Sequence, residues 1–196
     1  MYHLYHTSAF ILGSTPSGEG SRIFSLFTRE MGLISAFAQS AREERSKLRY
    51  GLQDFSYSEI TLVRGREFWR LTRAELTENI FNALKHSNEA TRMLGRIFAL
   101  LRRLLTGEEK NESLFAVVLE GFQFIIRNKD TKLVEGVEIV LVLRILHLLG
   151  YLAPRGEFDQ FLTHAGLWDE SVISKALLFR TVAISEINNS LKESQL

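Results

Sequence analysis

"RIFSLFTREMGLISAFAQS" (Arg22–Ser40) decides how this chain folds. Two runs of β-forming residues, RIFSLFTR and GLISAFAQS, flank Glu30 and Met31, and Gly32 stands where a reversal needs a positive φ. That is a hairpin. Before it, "HTSAFILGS" (His6–Ser14) is a further β-rich run, which the Ser-Thr-Pro-Ser-Gly cluster is expected to end. After it, "SEITLVRG" (Ser58–Gly65) and "EFWRLTRAEL" (Glu67–Leu76) form a second hairpin about Gly65. Five short strands ahead of residue 77 predict a small closed antiparallel barrel, for which the OB-fold is the common five-stranded solution.

Past Thr77 the period changes from two to 3.6. Thr77 is the expected cap of "ENIFNALKHSNEATRMLGRIFALLRRLL" (Glu78–Leu105), with a break near Ser87-Asn88. Asn111 and Asp130 are placed to cap "ESLFAVVLEGFQFIIRN" and "TKLVEGVEIVLVLRILHLL", and Gly150 to stop the latter. Asp169 is the expected cap of one last helix through "ESVISKALLFRTVAISEINNSL". The fold class is α+β: a barrel over residues 1–77, then an α-helical domain over residues 78–196.

Composition narrows the function. With 196 residues, 45% of them hydrophobic and 24% charged, the chain can build real cores. "MYHLYHTSAFILGS" lacks the basic start, apolar block and small-residue site of a signal peptide. The longest apolar run, "VEIVLVLRILHLLGYL", is interrupted by Glu138, Arg144 and His147 and is too short to cross a bilayer. A soluble, cytoplasmic protein with no membrane partner is the expectation. There is no cysteine, so no disulfide and no thiolate metal site. "GSTPSGEGS" has the spacing of a P-loop but Glu19 in place of its lysine. His3, His6, His86, His147 and His164 lack metal-ligand spacing, and His147 reads as a hydrogen-bonded core residue. No nucleophile elbow is present. The adjacent pairs Glu43-Glu44 and Glu108-Glu109 point apart and read as solvated. No enzyme and no cofactor is expected.

The charge is gathered rather than spread. Net charge is only +1, yet Arg42, Arg45, Lys47 and Arg49 fall within eight residues, and Arg64, Arg66, Arg70 and Arg73 follow on the second hairpin. A solvated connection is the plain reading of such a run taken alone.

"GEGSRIFSLFTREMGLISAFAQSARE" (Gly18–Glu43) followed by "SKLRYGLQDFSYSEITLVRGREFWRLTRAE" (Ser46–Glu75) resembles the N-terminal region of the bacterial recombination mediator family RecO. Gly18-Glu19, Arg22, Leu26-Phe27-Thr28, Gly32-Leu33, Ala41-Arg42, Lys47-Leu48-Arg49 and Leu52-Gln53-Asp54-Phe55 carry the resemblance in order. "LLGYLAP" (Leu148–Pro154) and the terminal "INNSLKESQL" extend it more sparsely. The resemblance implies an OB-fold and a helical domain, binding of single- and double-stranded DNA, annealing of complementary strands, and loading of RecA with RecR and single-stranded DNA-binding protein. Many such proteins carry a four-cysteine zinc module, for which "RGEFDQFLTHAGLWDES" (Arg155–Ser171) is the corresponding place; without cysteine, a zinc-free variant is expected.

With that resemblance the basic loop reads as a DNA contact, because an OB barrel holds a strand by cations along its backbone and aromatic faces under its bases. The candidates are Arg22, Arg42, Arg45, Lys47, Arg49, Arg64, Arg66 and Arg70, with Tyr57 and Trp69 as stacking rings. Phe24, Phe27, Phe37, Phe55 and Phe68 are assigned to barrel core. For the acidic C-terminal tail of single-stranded DNA-binding protein, the resemblance points to the helical domain. Arg92, Arg96 and Arg103, with Arg102 beside them, share a helix face next to Met93, Leu94, Ile97 and Leu101. Arg127 and Lys129 are a competing site. Two other readings stay open at this point: a helical adaptor whose barrel only docks partners, and a sequence-tolerant RNA binder.

Overall fold

Strands β1 (Leu4–Ser17), β2 (Ser21–Thr28), β3 (Gly32–Ala38), β4 (Ser56–Arg64) and β5 (Trp69–Asn79) close into a barrel in the order β1-β2-β3-β5-β4. The β3–β5 pair is parallel and the other pairs are antiparallel, which is an OB-fold. The structure is a computed structural model that describes residues 3–154, 156–162 and 168–193. Gly32 makes the β2–β3 reversal at φ 66°, and the Thr28 hydroxyl fastens it by donating to the Gly32 carbonyl.

β1 departs from expectation. It runs on through Pro16 to Ser17, pairing Pro16 with Arg22 and Ser17 with Ser21, because the turn residues sit in the ladder's last rungs. A bulge between Ile11 and Gly13 bends this strand, as closure of so small a barrel requires.

The inward row is apolar and mostly aliphatic, with two large rings: Ala9, Ile11, Phe24, Leu26, Ile34, Ala36, Ile60, Leu62, Trp69 and Leu71. The loop over residues 39–55 is part of that core. Ala41 and Leu52 are buried in it and Leu48 packs against it, so the apolar residues plug the barrel while the charged ones face water. Gly51 permits the fit, since a Cβ there would lie 2.5 Å from the Ala74 backbone carbonyl.

Two compact units divide the chain: residues 1–83 with 105–112, and residues 84–104 with 113–196. The return of residues 105–112 to the barrel unit is fixed by Leu33, whose amide donates to the Gly107 carbonyl at 3.1 Å.

Helices begin later than Thr77, which lies in β5. The strand conformation continues to Asn79, and the Asn79 side chain accepts from the Asn82 amide to start α1 (Ile80–Leu84). Ser87 then accepts from the Ala90 amide and opens α2 (Asn88–Leu104), so the anticipated break is present. α3 spans Glu112–Asn128. Asp130 caps a short 3-10 turn that leads into α4 (Val134–Leu148). α4 is buried on nearly every side and packs against α2, α5 (Asp159–Leu162), α6 (Glu170–Leu178) and α7 (Arg180–Glu193). His147 is hydrogen-bonded through Nδ1 to the Leu152 carbonyl at 3.0 Å. The single last helix expected from sequence is two, broken at Phe179. His164 and part of the Arg155–Ser171 stretch lie outside the described residues.

Asp169 caps α6 by accepting from the Val172 amide at 2.9 Å, and that bond holds its carboxyl below the usual carboxylate range. Asp169→Ala is expected to cost about 1 kcal/mol in chemical denaturation. The sign follows from the lowered pKa: the cap contributes fully above the unfolded carboxyl pKa. Its contribution disappears as pH falls through the lower folded value.

Candidate nucleic-acid interface

Strand alternation gives the outer face of the barrel its own composition. In β3, Ile34, Ala36 and Ala38 are buried while Ser35 is exposed and Phe37 is half-buried. In β5, Trp69 and Leu71 are buried while Arg70 and Thr72 are exposed. Register then sets Ile23 beside Phe37, Phe37 beside Arg70, and Arg70 beside Val63. These four residues belong to an open groove of about 990 Å³ whose rim is the β4–β5 turn, carrying Arg64, Arg66 and Phe68. That turn is tight: the Gly65 amide donates to the Phe68 carbonyl, and a Cβ at 65 would lie 2.2 Å from the same oxygen. Its shape holds the tip residues out, and Phe68 is 39% exposed.

The groove therefore combines an apolar floor, two rings and three guanidinium groups. Arg66 and Arg70 have no carboxylate partner among the described residues. Arg64 does: Nη1 lies 2.7 and 2.5 Å from the two carboxylate oxygens of Glu108. The groove also includes Glu67, so with Glu108 on Arg64 its three cations exceed its anions by one.

A second, smaller recess of about 320 Å³ brings Arg22, Arg42 and Arg49 together with Ser14 and Asp54. Arg22 Nε donates to the Ser14 hydroxyl at 2.9 Å, which orients its guanidinium. Arg45 and Lys47 stand exposed on the same loop, and Tyr50 beside them is 70% exposed, a ring absent from the sequence candidates.

Both stacking rings expected from sequence are placed elsewhere. Trp69 is 6% exposed and belongs to the barrel core. Tyr5 packs edge-on against its ring, the Arg64 guanidinium covers a face at 4.6 Å, and its Nε1 donates to Glu108 at 3.0 Å. No base can reach it. Tyr57 is half-buried on β4 with its ring against Phe10, outside the groove. The rings that line the groove are instead Phe37 and Phe68, both assigned to core by sequence. Phe24 is buried in the barrel core as expected; Phe27 is buried too, but outside that core and stacked on Phe10, and Phe55 is half-buried against Phe81.

On α2 the expected tail dock is not assembled. Met93, Leu94, Ile97 and Leu101 are all within 1% of full burial, so they form core and offer no apolar surface beside the arginines. Arg92, Arg102 and Arg103 are exposed; Arg96 is ion-paired with Glu138, which raises its pKa through the hydrogen bond. The recess around Arg96 holds Glu89, Glu135 and Glu138, a poor setting for an acidic tail. Arg127 donates to Gln123 at 2.9 Å, and Lys129 lies exposed just past the end of α3. Among the described residues no cluster of three potential ligands could hold a metal ion, and no helix is long and apolar enough to cross a membrane.

Comparison with known proteins gives a consistent set of relatives. Residues 1–80 match the family described as Recombination protein O N terminal. DNA repair protein RecO of Dehalococcoides mccartyi is 32% identical over 121 residues, covering 62% of this chain and 47% of the relative. The proteins of the same name from Pelotomaculum thermopropionicum and Heliobacterium modesticaldum are each 32% identical, covering 76% of this chain and 56% and 52% of their own lengths. The chain thus spans about half the length of these relatives.

Proposed function

From the match of residues 1–80 to the RecO N-terminal family, we propose that this chain is a non-enzymatic DNA-binding protein of repair and recombination. The observation that carries the reading is the groove, where Arg64, Arg66 and Arg70 line the same outer face as Phe37 and Phe68. A strand laid there puts phosphates against guanidinium groups and bases against rings, without reading sequence. The loop cations Arg42, Arg45, Lys47 and Arg49, with Arg22 in the smaller recess, add backbone contacts for single- and double-stranded DNA. Charge screening by this surface supports annealing of complementary strands.

As in the relatives' named role, the setting is DNA repair. RecR, RecA loaded indirectly, and the acidic tail of single-stranded DNA-binding protein are the proposed partners; with no apolar surface beside them, the exposed Arg92, Arg102 and Arg103 would attract the tail by charge alone. The barrel is proposed as the DNA-binding domain and the helical unit as the partner-binding one.

Strand annealing and salt-dependent oligonucleotide binding test this. Each phosphate neutralised on a single strand contributes about −0.7 to the slope of log K against log salt. Changing Arg42, Arg45, Lys47 and Arg49 together to Ala is expected to flatten that slope by about 3 and to suppress annealing. The fold should be retained, because all four side chains are exposed. An unaltered slope would remove the loop from the interface, and no binding of any DNA by the unmodified protein would sink the function.

A further inference from the structure

Glu108 lies in the stretch 105–112 that returns to the barrel unit, and its carboxylate grips the groove's rim. One oxygen takes both the Arg64 guanidinium, at 2.7 Å, and the Trp69 indole N–H, at 3.0 Å; the other takes Arg64 at 2.5 Å. Both oxygens meet a single nitrogen, Nη1, so the carboxylate holds Arg64 by one charged point of contact, which an oxygen of a phosphate can occupy in its place. Arg66 and Arg70 carry no such partner, so Arg64 alone of the three groove arginines enters binding already neutralised.

We propose that Glu108 is a built-in stand-in for a nucleic-acid phosphate on Arg64, displaced when a single strand enters the groove; this rests on the function proposed above. The pair is suited to exchange. Its side chains are 56% and 44% exposed, and half-solvated pairs of this kind contribute little to stability. Arg64 stays in place when the carboxylate leaves, because its guanidinium is stacked on the buried Trp69 ring at 4.6 Å. Glu108 thus acts on affinity rather than on the fold.

Exchange has a thermodynamic signature. A phosphate that replaces Glu108 on Arg64 trades one ion pair for another, so this contact adds less to affinity than a free arginine would. The experiment is titration of a fluorescent oligothymidylate at several salt concentrations. Glu108→Gln keeps an acceptor for the Trp69 N–H and removes the charge. The variant is expected to bind about fivefold tighter, with a slope steeper by about 0.7.

Two further proteins separate competition from a general loss of negative charge. Glu109→Gln, one residue on, should change binding little. In an Arg64→Ala background, Glu108→Gln should have no effect on affinity or slope. Unchanged or weaker binding by Glu108→Gln overturns the proposal, and so does an equal gain in the Arg64→Ala background. Failure of the unmodified protein to bind the strand would instead overturn the underlying function.

Discussion

Replacing Phe37 and Phe68 together by alanine is expected to weaken single-strand binding by about 30-fold or more while leaving its salt slope unchanged. Each base stacked on an aromatic ring is worth about 1–3 kcal/mol, and two rings at the low end give about 2 kcal/mol, or roughly 30-fold. No charge is altered, so counterion release is untouched. The companion variant, Arg66→Ala with Arg70→Ala, should behave in the opposite way: its slope flattens by about 1.4. Two effects that separate so cleanly identify which side chains meet bases and which meet phosphates. Phe37 is half-buried against the sheet, so Phe37→Leu controls for lost packing; it retains apolar bulk without the flat face. Unweakened binding by the double alanine variant would make the rings mere groove walls. Full affinity with Phe37→Leu and Phe68→Leu together would show apolar contact without stacking.

The barrel was legible because its strands carry local signals: alternation, turn residues and glycines at the β2–β3 and β4–β5 reversals. The placement of its rings was legible too, but only through parity. In "GLISAFA" the exposed Ser35 marks the outer face, and Phe37 shares its parity; in "WRL" the inward Leu71 shares parity with Trp69, not with Arg70. Weighing aromatic character and a neighbouring arginine above alternation reversed both assignments. The role of Glu108 lay beyond such reading, because it depends on residues 105–112 coming back to β3 through the Leu33–Gly107 bond. A long-range return leaves no trace in local spacing. The split between α6 and α7 is similar, since no glycine or proline marks Phe179. On α2, helical period located the apolar stripe correctly but could not tell that it would be wholly buried. Period shows which residues share a face; it does not show what covers that face.

Arg144 is the residue whose loss is expected to cost the helical unit most. It lies at the centre of the apolar run of α4, 1% exposed, and burial pushes its pKa down from the ordinary arginine value, partly offset by Glu120. Its Nε donates to the Phe161 carbonyl at 2.8 Å, which ties α5 to α4, and its guanidinium lies 4.6 Å from the centre of the Trp168 ring. Arg144→Ala removes the donor, the cation on the indole and most of a buried side-chain volume at once. Losses of this kind cost about 3–5 kcal/mol. Arg144→Met should cost clearly less, because it refills the volume and removes the need to bury a charge, leaving chiefly the Phe161 carbonyl without its donor. The chain has two tryptophans, Trp69 in the barrel core and Trp168 against Arg144. In a Trp69→Phe background, indole emission reports the helical unit alone during denaturant unfolding. The expected order of stability is Arg144 first, Met next and Ala last, while oligonucleotide binding by the barrel persists in conditions where the Trp168 signal shows the helical unit folded. Equal losses for Ala and Met would assign the whole effect to the hydrogen bond and the cation. A loss below about 1 kcal/mol for Ala would show that α5 is held to α4 without this side chain.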